Sequence, residues 1–248
     1  MDSNKNIDRF TFVADSFLTD KLGRMRPTTL CNDMLNCGWR HGEVRGMGNT
    51  STLGWVLARL ALHIEHTPVA HERFYVDTWI RNLYHGFTDR CIRAVNEDGE
   101  EIASMLTTFA MIDLRTRTAV DLNGDIGVRL NECIVPDEPL GIGRIPSINR
   151  TPIEEITFKH RPTYSDVDFN GHMNSIRYLD RILDAMPLEY MHSHNITDFV
   201  AAYMKEGVCD EELAFGIKEV APDNYIAKVT KEDGTPAANF ELKFAPIK

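Results

Sequence analysis

The stretch Tyr164-Ser165-Asp166-Val167-Asp168-Phe169-Asn170-Gly171-His172-Met173-Asn174-Ser175-Ile176-Arg177-Tyr178 decides how this chain is read. It has an earlier counterpart, Asp20-Lys21-Leu22-Gly23-Arg24-Met25. Both read Asp-x-x-Gly-basic-Met, at an offset of 168 − 20 = 148. A short alternating segment precedes each copy, Phe10-Thr11-Phe12 and Ile156-Thr157-Phe158, and a helical pattern follows each. Further on, Glu97-Asp98-Gly99 recurs as Glu232-Asp233-Gly234, at an offset of 232 − 97 = 135. Both are acidic-Gly turns between strand-like runs, as hairpins require. The same signals in the same order twice mean a tandem duplication.

Working outward, Pro27 suits a first helical position. The spacing of Leu30, Cys31, Met34 and Leu35 predicts a helix from Pro27 to about His41. In the second half, Ile176, Leu179, Ile182, Leu183 and Met186 predict one from Asn174 to about Tyr190, with Asn174 or Ser175 as N-cap. The period then turns to two. Phe74, Val76, Thr78 and Ile80 alternate with Tyr75, Asp77 and Trp79. Phe240, Leu242 and Phe244 alternate with Asn239, Glu241 and Lys243. Each half is therefore expected to be one long helix and an antiparallel meander, an α+β arrangement. Pro136, Pro139, Gly141, Gly143, Pro146 and Pro152 form the densest Pro/Gly region, so the expected division is 1–136, a linker at 137–152, and 153–248.

Composition narrows the functional classes. The 248 residues are 43% hydrophobic and 26% charged, with a formal net charge of -10. That balance is globular, and its sign argues against a nucleic-acid or anionic-membrane binder. No apolar run has the length of a membrane span, and polar Met1 to Asp8 does not read as a signal peptide. Five scattered cysteines, Cys31, Cys37, Cys91, Cys133 and Cys209, read as reduced thiols of a cytoplasmic protein. His63 and His66 would face opposite sides of a strand and do not suggest a metal site. Met191-His192-Ser193-His194 reads as a polar turn, and Gly46-Met47-Gly48 as a loop.

The chemistry is concentrated in the opening stretch. Asp168, Asn170 and His172 bring a carboxylate, an amide and an imidazole at two-residue spacing, one face of an extended chain. The backbone N–H groups of Gly171 and His172 would lie where a helix opens, which suits a developing oxyanion. A plain turn accounts for the same residues: Asn-Gly is a strong hairpin signal, and Asp168 would then simply cap the helix.

The stretch resembles the Y-x-D-x-D-x-x-G-H-x-N-x-x-x-Y signature of hotdog-fold thioesterases. Ser165 to Asn174 is more similar still to the S-D-L-D-x-N-Q-H-V-N segment of plant and bacterial acyl-ACP thioesterases. Ala201-Ala202-Tyr203-Met204-Lys205-Glu206-Gly207 stands where that family has L-E-Y-R-R-E-C. Gly54 to Leu60, Asp77-Thr78-Trp79 and Ile112 to Arg117 also resemble family stretches. The resemblance implies two tandem hotdog domains and hydrolysis of fatty acyl-acyl carrier protein to free fatty acid, with no metal or organic cofactor. It implies Asp168, Asn170, His172 and Glu206 as the catalytic set. The family's Cys is Gly207 here, so a thiol nucleophile is not available at that position; Cys209, read as lying on the same strand face, is taken as a small apolar filler. Water attack is then expected, with Glu206 and Asp168 orienting and deprotonating the water. A thiolate leaving group, with a conjugate-acid pKa of about 8.5, needs no strong general acid.

The first half departs from the pattern. Leu22 replaces Asn170, Arg24 replaces His172, and Thr67 falls near the Glu206 position, so this half is expected to be noncatalytic. The resemblance suggests that it houses the acyl chain, with Leu30, Met34 and Leu35 as liners beside plain core packing. An acidic carrier protein meeting an acidic enzyme needs a local basic patch, for which Arg24, Arg26, Arg40 and Arg45 are the candidates. Rival readings are an acyl-CoA thioesterase, a hotdog dehydratase and a nonenzymatic acyl-binding protein. A monomer or a homodimer fits a fold that supplies its own pairing.

Overall fold

The computed structural model describes residues 3–122 and 124–247. The chain divides into two compact units, Met1–Ile145 and Pro146–Lys248.

In the first unit, β1 (Asp8–Val13) is followed by α1 (Pro27–Val44), β2 (Leu53–Ile64), β3 (Arg73–Tyr84), β4 (Phe87–Val95), β5 (Glu101–Asp113) and α2 (Asp125–Glu132). The strands pair antiparallel in the order β1-β3-β4-β5-β2. Pro27 opens α1 as expected, and the helix runs to Val44 before Gly46 turns the chain with φ +64. Leu30, Cys31, Met34, Cys37 and His41 are fully buried on its inner face. Each apolar side chain so buried stabilises by roughly 1.5–3 kcal/mol. The helix lies close on β4 at Gly38, where a Cβ would stand only 2.8 Å from Arg90 Cδ.

Strand β3 corrects the simple alternation read from the sequence. Phe74, Val76, Thr78 and Ile80 are buried, but so are Asp77 and Trp79 on the opposite face. The reason is a second cover. Leu140, Ile142 and Ile145, in the Pro/Gly-rich stretch read as a linker, pack with Ile7 on a cluster of Trp79, Cys91, Leu106 and Val135. On the same face Asp77 is held by Arg9 at 2.6 and 2.7 Å and by Arg93 at 3.1 Å. Burying a carboxylate is tolerable because charged donors surround it. The Glu97-Asp98-Gly99 turn joins β4 to β5 with Gly99 at φ +84.

The second unit contains β6 (Phe158–His160), α3 (Ser175–Asp184), α4 (Leu188–Ser193), β7 (His194–Tyr203), β8 (Leu213–Ala221), β9 (Asn224–Lys231) and β10 (Pro236–Pro246). Its strands pair in the order β7-β10-β9-β8-β6. Asn174 is the N-cap: its Oδ1 accepts from Ile176 N at 2.9 Å. Ile176, Leu179 and Ile182 are fully buried. The helix is shorter than the expected Asn174–Tyr190. It ends at Asp184, because Pro187 has no N–H for a helical bond and disfavours a helical Met186. The chain restarts as α4, so Met191-His192-Ser193-His194 is the end of a short helix and the first residue of β7, not a turn. Glu232-Asp233-Gly234 joins β9 to β10 with Gly234 at φ +80. Among the described residues, no helix is long and apolar enough to cross a membrane.

Candidate active site

Asp168, Asn170 and His172 do not lie along an extended strand. Asp168 N donates to His172 O at 2.9 Å and Gly171 N donates back to Asp168 O at 3.0 Å. Gly171 takes φ +79, the left-handed conformation that glycine adopts without strain. Asp168 Oδ1 accepts from Asn170 N at 2.8 Å and from His172 N at 3.3 Å. The loop is therefore a tight turn built around its first carboxylate, with Val167 bridged to Met173 at its base. The turn read from Asn-Gly is present, but Asp168 caps the amides of the turn itself, and the helix is capped by Asn174 instead. One expectation is corrected: the N–H groups of Gly171 and His172 are committed to Asp168, so neither points away to receive an oxyanion. Asn170, by contrast, is exposed at the tip.

Glu206 reaches this turn from the loop after β7, not from within a strand. His172 pairs with Val208 in an isolated bridge, and Met173 N donates to Gly207 O at 2.8 Å. These contacts bring Glu206 Oε1 to 3.4 Å from His172 Nδ1. The two side chains are 37% and 23% exposed, so the pair is both formed and open to a reactant. Cys209 lies in the following turn and is exposed, whereas Cys31, Cys37, Cys91 and Cys133 are buried. The expectation of Cys209 as an apolar filler on a strand is overturned, because the strand ends at Tyr203.

The first unit repeats the frame bond for bond. Asp20 Oδ1 accepts from Leu22 N at 2.8 Å and Arg24 N at 3.0 Å; Asp20 N donates to Arg24 O, and Gly23 N to Asp20 O. Met25 N donates to Pro68 O at 2.7 Å, as Met173 N does to Gly207 O, which makes Thr67 the counterpart of Glu206. The side chains that the turn carries differ. Arg24 closes on Asp20 Oδ2 at 2.5 Å. Burial opposes the charge on Asp20, yet Arg24 and the turn amides hold its carboxyl below the usual range.

Sequence reasoning missed two residues that build the site. Asp166 is 1% exposed and accepts from His160 Nε2 at 2.9 Å, Thr163 N at 2.9 Å and Thr163 Oγ1 at 3.0 Å. Burial works against its charge, but these donors hold its pKa below the usual carboxylate range. Its carbonyl also receives Asn174 N, which ties the turn to the start of α3. The second is Tyr178, whose Oη accepts from Gly207 N at 3.1 Å. The advance signal was that both are fixed positions of the quoted signature, its first Asp and its last Tyr.

Other expected residues are placed differently. Leu30 and Met34 are fully buried and Leu35 is half-buried, so a chain reaching the first two has to part α1 from its sheet. Of the proposed docking arginines, Arg24 is held by Asp20. Arg45 is held by Asp8 at 2.5 and 2.7 Å, and Arg40 stacks 4.4 Å over Phe10. Arg26 is exposed. A patch of four available guanidinium groups is thus corrected to a largely self-paired set.

A family profile for the acyl-ACP thioesterase N-terminal domain matches residues 11–129, and one for the C-terminal domain matches residues 150–242. This chain belongs to the acyl-ACP thioesterase family. Among solved structures it is similar to an acyl-ACP thioesterase from Bacteroides thetaiotaomicron, with 34% identity, a TM-score of 0.89, and 99% of this chain and 100% of that one covered. The 12:0-ACP thioesterase from Umbellularia californica shares the fold at 18% identity, with a TM-score of 0.86 and 98% of each chain covered. The α+β units described above are accordingly hotdog folds. Among curated sequences, the chain is 27% identical over 169 residues to a chloroplastic dodecanoyl-[acyl-carrier-protein] hydrolase from Cinnamomum camphora, covering 64% of this chain and 43% of that protein. It is 22% identical over 226 residues to oleoyl-acyl carrier protein thioesterase 2, chloroplastic, from Arabidopsis thaliana, covering 84% and 60%. The chain spans about half the length of the curated relatives that it matches.

Proposed function

We propose that this acyl-ACP thioesterase family member hydrolyses the thioester of a fatty acyl-acyl carrier protein by carboxylate-assisted attack of water. The observation that carries the reading is the Glu206–His172 pair, 3.4 Å apart and open to solvent beside the Asn170 turn. Glu206 takes a proton from water as the water oxygen bonds to the carbonyl carbon, and His172 shares the added proton. The exposed Asn170 carboxamide donates to the carbonyl oxygen as it becomes an oxyanion. The tetrahedral adduct then breaks its C–S bond. The thiolate leaves with the carrier and takes up the proton held by the Glu206–His172 pair, and the acid product keeps the hydroxyl of water. Asp168 fixes the turn through Oδ1, while its Oδ2 has no hydrogen-bond or ion-pair partner among the described residues and is left to orient the water.

The test is thiol release by the purified protein from acyl-ACP and acyl-CoA substrates of stepped chain length. Glu206→Gln and Asp168→Asn are expected to lose turnover on every substrate. Wild-type rates in both variants would overturn the assignment. A preference for CoA over ACP would overturn the carrier while leaving the chemistry.

A further inference from the structure

We propose that Tyr178 is the positioning residue that holds Glu206 against His172 through the Gly207 N–H, and that in this chain a side chain at 207 would press on the Tyr178 hydroxyl. The inference rests on the functional reading of Glu206 given above.

Tyr178 is 2% exposed on the first turn of α3. Its ring is fixed by Tyr203, Phe215 and Phe240, with centroids at 6.0, 6.2 and 6.0 Å. Its Oη accepts the Gly207 N–H at 3.1 Å, and the Gly207 carbonyl accepts Met173 N at 2.8 Å. The residue after Glu206 is therefore gripped on both sides, once from the helix and once from the turn that carries His172. The gripped N–H belongs to the peptide plane that begins with Glu206, so it fixes the direction in which that residue leaves the backbone.

Gly207 does not have positive φ, so its backbone does not demand glycine. The space beside it is tight in this chain. A Cβ at 207 would stand 2.8 Å from Tyr178 Oη and 2.8 Å from Leu213 Cδ1. Leu213 ends in a methyl that can turn aside, whereas Oη is held by its hydrogen bond and by three aromatic rings. Burial pushes the Tyr178 pKa up to about 12, which keeps the phenol neutral at working pH.

The first unit supplies an internal control. Its loops keep the same frame, and the offset of 178 − 148 = 30 sets Leu30 on the first turn of α1 where Tyr178 stands on α3. Pro68 takes the place of Gly207, as its carbonyl bond to Met25 N shows. Leu30 has no hydroxyl and Pro68 no N–H, so the latch is missing from both ends. It is missing in the copy whose Glu206 equivalent, Thr67, has no carboxylate to position.

The experiment compares kcat, KM and the pH profile of kcat/KM for acyl-ACP hydrolysis in wild type, Tyr178→Phe, Gly207→Ala and the double variant, with Glu206→Gln as reference. A displacement of about 1 Å in a reacting group costs on the order of 10²-fold. Tyr178→Phe is therefore expected to lower kcat by 10-fold or more with KM within about twofold, and to move the acidic limb of the pH profile. Gly207→Ala is expected to be at least as impaired. The double variant should recover part of that loss, since removing Oη makes room for the new methyl. Unchanged kcat and pH profile in Tyr178→Phe, or a double variant no better than Gly207→Ala, would overturn the inference while Glu206→Gln stays inactive. Full activity in Glu206→Gln would instead overturn the functional reading, and this inference with it.

Discussion

Arg24 closes on Asp20, whereas His172 turns away from Asp168 to Glu206. Each aspartate accepts the amides two and four residues ahead through one oxygen, so the two turns have one architecture. What differs is the fate of the second oxygen. In the first unit a guanidinium neutralises it; in the second, no described residue does.

His172→Arg should convert the second turn to the state of the first. The new guanidinium is expected to pair with Asp168 as Arg24 pairs with Asp20, with the fold and thermal midpoint nearly unchanged. Turnover should fall by roughly 10²-fold or more, since both the imidazole and the free carboxylate oxygen are lost. A steady-state assay beside a melting curve checks both halves of the expectation.

Asp168 has two duties that substitutions can separate. A carboxamide oxygen accepts the same two amides, so Asp168→Asn should leave stability within about 0.5 kcal/mol while turnover falls. Asp168→Ala leaves Asn170 N and His172 N without their partner and should cost about 1–2 kcal/mol. Urea unfolding of the two variants side by side measures the difference.

Two groups on α1 should pull stability in opposite directions with pH. Burial, with Arg90 and Arg45 nearby, pushes the His41 pKa from 6.5 to about 3. Its ring stays neutral, with Nε2 donating to Asn6 O at 3.2 Å and Nδ1 accepting from Arg90 Nη1 at 3.1 Å. The unfolded chain binds this proton first, so stability falls as pH drops from 6.5 toward 3. Burial raises the Asp33 pKa from 3.8 to about 6, so its contribution is lost as pH rises through that window. His41→Gln should flatten the acid-side loss between pH 6.5 and about 4. Asp33→Asn should stabilise at neutral pH, on the order of 1 kcal/mol, and do nothing near pH 4. Thermal unfolding across a pH series reads both slopes.

Cysteine reactivity should divide four to one. Cys209 is exposed, while Cys31, Cys37, Cys91 and Cys133 are buried, and burial raises the thiol pKa of Cys37 and Cys91 to about 12. A chromogenic disulfide reagent is expected to titrate one thiol rapidly in the native protein and five in denaturant. Cys209→Ser should abolish the fast phase and keep full thioesterase turnover, because no step of the proposed reaction uses that sulfur.

The duplication, both helix starts, the hairpin turns and the existence of the Asp168 turn were legible in the sequence because each is set by neighbours a few positions away. Pro27, Asn174, Gly99 and Gly234 state local backbone requirements. What was not legible depends on distant packing. Trp79 and Asp77 were read as alternating outward, and no local pattern announces that Leu140, Ile142 and Ile145 return to cover them. The second helix looked longer than it is because Met186 continues its apolar stripe, and the stripe concealed the proline that follows. Asp168, Asn170 and His172 were placed on one extended face by counting in twos; the left-handed Gly171 folds that line into a turn. The docking arginines failed for a similar reason. Asp20, Asp8 and Phe10 claim them only once the chain has folded.

The Asp-x-x-Gly turn is fastened almost wholly through main-chain atoms, and that separates scaffold from reagent. Side chains at its second and fourth following positions can be exchanged, as Asn170 and His172 are for Leu22 and Arg24, without disturbing the socket that holds them. The two copies can therefore carry different side chains while both domains stay sound. The same tolerance makes the turn at Asp20 a ready seat for grafted side chains.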